Sequence, residues 1–141
     1  MSDDALTDIL AHPNIEVHVL VKDEEAEGMM ELDFRNPFEC ELSFFGLTPA
    51  LIGTGAGRFL MNQAIELAWR KPIRRLHVHT CTLDSQAALP FYQRSGFIAT
   101  HQQVEVVDDP RLTGDLPEDA GPHAPIIRPP NPKSEEDEDR I

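Results

Sequence analysis

The chain has 141 residues, 40% of them hydrophobic, which suffices for one domain with a modest core and not for two. Its formal net charge of −13 excludes the basic surface by which a protein displaces counterions from nucleic acid, and equally disfavours an anionic membrane. No apolar run reaches the ~20 residues of a membrane-spanning helix, and the opening MSDDALTDIL has neither the basic nor the apolar region of an export signal, which points to a cytoplasmic protein.

In chain order, ALTDILAH supplies at most a short helix before the first strand, IEVHVLVKD, which begins at Ile15. An acidic turn at Asp23 to Glu25 joins it to EAEGMMELDFR, so the two should pair as a hairpin. FECELSFFGL is a third strand, ended by Pro49. The run from Gly53 to Gly57 then leads into a helix, on which Leu60, Ala64 and Leu67, and likewise Met61, Ile65 and Ala68, recur at three- and four-residue spacings. Pro72 stops that helix, and RRLHVHT is a fourth strand. Ser85 caps a short helix through QAALPFYQRS, Gly96 terminates it, and FIATHQQVEVV reads as a fifth strand. The expected fold is α+β with the order β-β-β-α-β-α-β: three antiparallel strands, then a right-handed parallel crossover into the fourth.

Composition changes near Pro110. From there on, seven prolines accompany the acidic run Glu135, Glu136, Asp137, Glu138 and Asp139, a mixture too poor in large apolar side chains to fold alone. The expected organisation is a folded domain over 1–110 and an irregular tail over 111–141 with its last residues disordered, in which PHAPII can lie extended against the domain. Cys40 and Cys81 lie in apolar, strand-like segments without metal or disulfide spacing and read as reduced core thiols. His77, His79 and Cys81 share one face of the fourth strand, but i and i+2 side chains stand ~6.5 Å apart, too far to share one zinc easily, so no metal is expected.

Glycines at alternate positions, Gly53, Gly55 and Gly57, precede the first long helix. A dinucleotide fingerprint needs a further glycine where Arg58 stands, and a Walker loop needs Lys followed by Ser or Thr, so both are excluded. Two readings stay open from the loop alone: a cradle that brings free N–H groups at a helix start close to an anion such as a diphosphate, or an ordinary flexible turn.

The second pattern is SQAALPFYQRSGF, Ser85 to Phe97. With the glycine loop it resembles the GNAT superfamily of acyl-CoA-dependent N-acyltransferases: Gly55 and Gly57 match that family's loop, and Ala88, Tyr92, Gly96 and Phe97 match its later motif, over about Ile15 to Val107. Ile52 stands where the family carries Gln or Arg, and Ser85 where it carries Asn. The family fold begins with a strand and two helices before the hairpin, and only about fourteen residues precede it here. The chain is therefore a shortened member, or its start is truncated, or something else covers that face; an uncovered face would favour a homodimer.

The resemblance implies acetyl transfer from acetyl-CoA to a primary amine of a small molecule or protein. Under it the backbone of Ile52, Gly53, Thr54, Gly55, Ala56, Gly57 and Arg58 holds the diphosphate, helped by Ser85. The strand edge at Phe45, Gly46 and Leu47 pairs with the pantetheine amides, with a bulge at Gly46 splaying the third and fourth strands. Tyr92, the single tyrosine, protonates the leaving thiolate, and Glu41 is the candidate base, with Glu31, Glu39 and His79 as further candidates. The competing readings are a solvent-facing strand glutamate, a tyrosine packed on Leu89 and Phe97, and, for the whole chain, a non-catalytic acyl-CoA-binding or interaction module on the same fold.

Overall fold

The computed structural model describes residues 2–129. Helix α1, Asp3–Leu10, is capped by Ser2, whose hydroxyl accepts the Ala5 N–H at 3.3 Å, and carries Asp3 and Asp4 in its first turn, where the helix dipole favours them. Strand β1, Ile15–Lys22, turns into β2, Glu25–Asp33, through Asp23 and Glu24 alone, at φ 51° and 69°. Two consecutive left-handed residues make the tight turn whose twist matches an antiparallel hairpin. Strand β3, Glu39–Leu47, lies antiparallel to β2, and a single 3₁₀ turn, Pro49–Leu51, precedes α2, Ala56–Trp69. The crossover returns to β4, Arg75–His77, parallel to β3, so the sheet runs β1-β2-β3-β4. Helix α3, Ala88–Arg94, and the one-turn α4, Pro110–Thr113, complete the described elements.

The expected mixed α+β architecture is what the chain adopts. Alternation sends Met30, Leu32 and Phe34 of β2 and its end, with Cys40 and Leu42 of β3, to one face, where they meet Leu60, Met61, Ala64 and Ala68 of α2. Ala64 and Ala68 are wholly buried, and their small side chains let the helix axis lie close to the sheet. Burying a Met or Leu here contributes about 1.5–3 kcal/mol each, whereas a larger residue at Ala64 would overpack the contact.

Four local expectations change. The fourth strand is three residues long, not seven, because β3 and β4 pair only from Glu39 opposite Arg75 to Glu41 opposite His77 and then part. The fifth strand does not form: Phe97 to Asp109 has no assigned helix or strand and pairs with no strand, with Ile98, Val104, Val106 and Val107 exposed. The strand irregularity lies at Ser43 and not at Gly46. Glu31 is opposite Phe44 and Leu32 opposite Leu42, so Ser43 is the extra residue, and its hydroxyl donates to Glu31 Oε1 at 2.7 Å. Cys40 is buried, with its thiol pushed up to about 12 by burial, but Cys81 is exposed because the strand meant to carry it inward has ended.

Apart from the one-turn α4, the described segment after Pro110 carries no helix or strand. Arg111 is 5% exposed; its guanidinium forms a paired contact with Asp109 and donates to the carbonyls of Ala120, Gly121, Ala124 and Pro125. One buried cation thus closes residues 109–125 into a compact strap, which stands in for the apolar side chains that this stretch lacks. His123 Nε2 lies 2.8 Å from the Thr82 carbonyl, and a Cβ on Gly121 would sit 2.9 Å from the Leu83 carbonyl oxygen, so the strap rests against the loop before α3. The acidic run at 135–139 lies outside the described residues. Among the described residues no helix is long and apolar enough to cross a membrane.

Candidate active site

Gly53 and Gly55 have φ of 77° and 88°, a conformation that side chains resist. Gly55 is the N-cap of α2, and a Cβ there would meet nothing within 4 Å, so open space lies above the helix start. Thr54 donates its hydroxyl to the Leu51 carbonyl at 2.6 Å, which closes the loop onto the 3₁₀ turn, while the exposed Ile52 makes its backbone bond to Pro49. The Ala56 N–H reaches only the Thr54 hydroxyl, at 3.4 Å. Among the described residues the N–H groups of Gly57 and Arg58 donate to no protein acceptor. Together these donors carry the partial positive charge of the helix start, the arrangement in which an anion is held.

Gly57 lies where α2 adjoins the end of β3 and α3: a Cβ there would stand in ordinary contact with Leu47 Cδ1 at 3.4 Å and the Phe91 ring at 3.8 Å. Arg58 turns toward α3 as well. Its Nη1 donates to Ser95 Oγ at 3.0 Å and its guanidinium lies 5.4 Å from the Phe91 ring centroid. Phe91 in turn stacks against Phe45, with 5.6 Å between centroids. The glycine loop, the Phe45–Leu47 edge and α3 are therefore one contiguous body. Gly46 faces the other way, against Phe44, 3.2 Å from where its Cβ would stand.

The edge of β3 beyond Glu41 is free because β4 has ended, while its opposite edge stays paired with β2 as far as Leu47 opposite Gly28. A row of unpaired backbone groups from Leu42 to Leu47 thus faces the gap between the two strands. Tyr92, on α3, lines the groove beside β4 together with His77, Val78 and Thr80, edge-on to Phe97 at 6.0 Å and half-buried. Burial, with a smaller contribution from the Asp84 carboxylate, raises its phenol above the ordinary tyrosine value, so it stays protonated. Ser85 serves its own turn: its hydroxyl accepts the Ala87 N–H at 3.3 Å and its carbonyl the Ala88 N–H, and α3 starts two residues later than a Ser85 cap would place it. Gly96, at φ 103°, ends the helix as expected.

On the opposite face of the sheet, Glu41 is the last residue of β3 paired with β4. Its Oε1 stands 2.7 Å from Nδ1 of His79, in the unpaired stretch just past β4. Glu39 is held by Arg75 at 3.2 Å, with His77 at 3.9 Å, and Glu31 by Ser43. A cavity of about 250 Å³ on this face is lined by Asp33, Arg35, Asn36, Glu39, Glu41 and His77. Among the described residues no group of three or more His, Cys, Asp or Glu is placed to hold a metal ion. The Glu41–His79 contact was legible only as two separate candidates, since strand pairing brings them together. Nothing in the spacing signals Ser43 or Ser95.

Residues 2–97 match the family model described as the acetyltransferase (GNAT) family. No curated protein matches. Among solved structures, a transcriptional regulator from Bacillus halodurans is 26% identical with a TM-score of 0.61, covering 74% of this chain and 73% of its own. A GNAT family acetyltransferase from Elizabethkingia anophelis with acetyl-CoA bound is 22% identical at TM-score 0.62, covering 71% of this chain and 63% of that one. An aminoglycoside 6'-N-acetyltransferase from Acinetobacter haemolyticus is 18% identical at 0.61, covering 75% and 78%. The last two likenesses carry the fold.

Proposed function

The chain belongs to the GNAT acetyltransferase family, and from that premise we propose that it is a cytoplasmic enzyme transferring an acetyl group from acetyl-CoA to a primary amine of a small molecule or protein. The observation that carries the reading is the left-handed Gly55 cap, which opens the α2 N-terminus onto empty space beside the unpaired edge of β3. N–H groups of Gly55 to Arg58 hold the diphosphate, and the Phe45–Leu47 edge takes the pantetheine amides as a further strand would.

The thioester then lies in the gap where β3 and β4 part, next to Glu41 at the last ladder pair, with Tyr92 supplied by α3. Glu41, steadied by His79, takes the proton of the acceptor ammonium, directly or through water; the freed amine attacks the thioester carbonyl, the C–N bond forms and the C–S bond breaks. The Tyr92 hydroxyl gives its proton to the departing sulfur, and the phenolate is reprotonated through water as the attacking nitrogen loses its second proton. The carboxylate-lined cavity beside Glu41 suits an acceptor that arrives as a cation. This assignment is supported in kind by the neighbours named as aminoglycoside acetyltransferases.

One observation favours the alternative of a binding module. The sheet face opposite α2 leaves Val19, Val21 and Phe44 exposed, and α1 buries no residue against it, so the acceptor side has little wall. Calorimetric titration with acetyl-CoA, followed by a thiol-release assay with a panel of diamines, separates the two. Micromolar binding, about −8 kcal/mol, with amine-dependent thiol release is expected. Binding without turnover would leave the module, and no binding by the folded chain would refute both.

A further inference from the structure

The strap over residues 109–125 lies beyond the stretch that matches the family model, and no step of the proposed transfer uses it. Its shape is nevertheless fixed from within. Arg111 donates to Asp109 and to four carbonyls between Ala120 and Pro125, so the strap is ordered without an apolar core of its own. Among the described residues its one hydrogen bond to the body of the domain joins His123 Nε2 to the Thr82 carbonyl at 2.8 Å. Gly121 lies beside that bond, where a Cβ would stand 2.9 Å from the Leu83 carbonyl oxygen and 3.1 Å from its Cα.

The loop held in this way ends at Asp84. Its carboxylate accepts the Cys81 N–H at 2.8 Å and the Thr80 hydroxyl at 2.6 Å, which ties the loop to the end of the β4 segment. Thr80 and Tyr92 line one groove, and the Asp84 carboxylate bears on the Tyr92 phenol. Contacts therefore run unbroken from a segment outside the family match to the hydroxyl assigned as proton donor.

We propose that the strap is a positioning element for Tyr92: His123, by holding the Thr82 carbonyl, fixes the loop from Cys81 to Asp84 against α3 and so sets the surroundings of the Tyr92 hydroxyl. The catalytic consequence rests on Tyr92 being the acid; the structural one rests on the contacts alone. His123 touches neither the coenzyme cradle nor the Glu41 pocket, so it acts only through the loop. A glutamine at this position carries an amide N–H that can meet the same carbonyl, whereas an alanine carries no donor.

Tyr92 is the only tyrosine, so the phenolate absorbance of the full chain reports its surroundings whether or not the protein turns over. The test is alkaline titration of that signal, with kcat and the acetyl-CoA KM, in His123→Ala, His123→Gln and Asp84→Asn. His123 is exposed, and thermal unfolding should find all three variants folded. Freeing the loop moves the Asp84 carboxylate away and lets water reach the phenol, so His123→Ala should titrate at lower pH than the wild type. Its kcat should fall about tenfold with KM unchanged, and His123→Gln should restore both signals. Asp84→Asn should lower the midpoint by itself, and adding His123→Ala to it should shift the midpoint less than in the wild type. Arg75 and His77, the other ionisable groups on the groove, are unaltered in every variant. A folded His123→Ala variant that titrates with the wild type overturns the proposal, as does a lowered midpoint that glutamine fails to restore or an Asp84→Asn variant without effect. A wild type inactive with every amine would remove the catalytic reading, and the titration would still decide the positioning.

Discussion

Substitution at Gly55 separates two consequences that the loop geometry makes independent. A Cβ at Gly55 meets nothing within 4 Å, so Gly55→Ala costs only the left-handed backbone at φ 88°, about 1–2 kcal/mol, or roughly 5 °C in Tm. Gly55→Glu carries the same backbone cost and adds a carboxylate beside the helix start. At about 6 Å and an effective dielectric near 40, two unit charges repel by about 1.4 kcal/mol; against two diphosphate charges that doubles, which weakens acetyl-CoA binding about a hundredfold. Thermal unfolding should give matching Tm losses for the two variants, while calorimetry finds the alanine form within about threefold of wild type. Most of the glutamate deficit should vanish near 1 M salt, where the screening length is about 3 Å. A glutamate variant that binds acetyl-CoA as tightly as the alanine variant would refute the diphosphate cradle.

Three further outcomes are expected. Tyr92→Phe should lower kcat by roughly ten- to a thousandfold with coenzyme affinity kept; because burial raises the wild-type phenol above the ordinary tyrosine value, the alkaline loss of activity should fall above about pH 10, and equal rates would return Tyr92 to packing. The Arg111 hydrogen bonds lower the Asp109 carboxyl to about 2, so its contribution to docking the strap is complete above the unfolded carboxyl's value of about 3.9 and is lost as pH falls toward 2; pepsin should cut within 110–125 at about pH 2 but spare it near pH 4.5, and equal resistance would contradict the role of the pair. Gly28→Ala would place its Cβ 2.7 Å from Leu47 Cδ2 and 3.2 Å from Leu20 Cβ, destabilising by about 1–3 kcal/mol in urea titration and disturbing the β3 edge; an unchanged midpoint would show that Leu47 moves aside freely.

Local signals carried far in the first half of the chain because its contacts are short-range. The hairpin needs two residues to reverse, the β2–β3 connection only a few more, and α2 shows its buried stripe at helical spacing, so pattern and turn chemistry determine one another there. The glycine loop was legible for the same reason: a left-handed residue before a helical run announces an open N-terminus. What escaped was pairing between distant stretches. Glu41 and His79 are 38 positions apart and meet through three ladder pairs between β3 and β4. The Ser43 bulge depends on how β2 and β3 accommodate one another, which neither strand encodes alone. Arg111 escaped for a different reason, since composition counts apolar side chains and one buried guanidinium with six hydrogen bonds does their work.

The unformed fifth strand is the most informative miss. Alternation in QQVEVV states that one face can be buried against something; it does not state that the partner belongs to the same chain. Within this chain the segment leaves α3 at Gly96 facing β4 across an open slot, and nothing among the described residues bridges the slot. A strand-like sequence without a strand is what periodicity yields where no edge within reach takes up the backbone: alternation specifies a face and a register, while pairing is set by tertiary context.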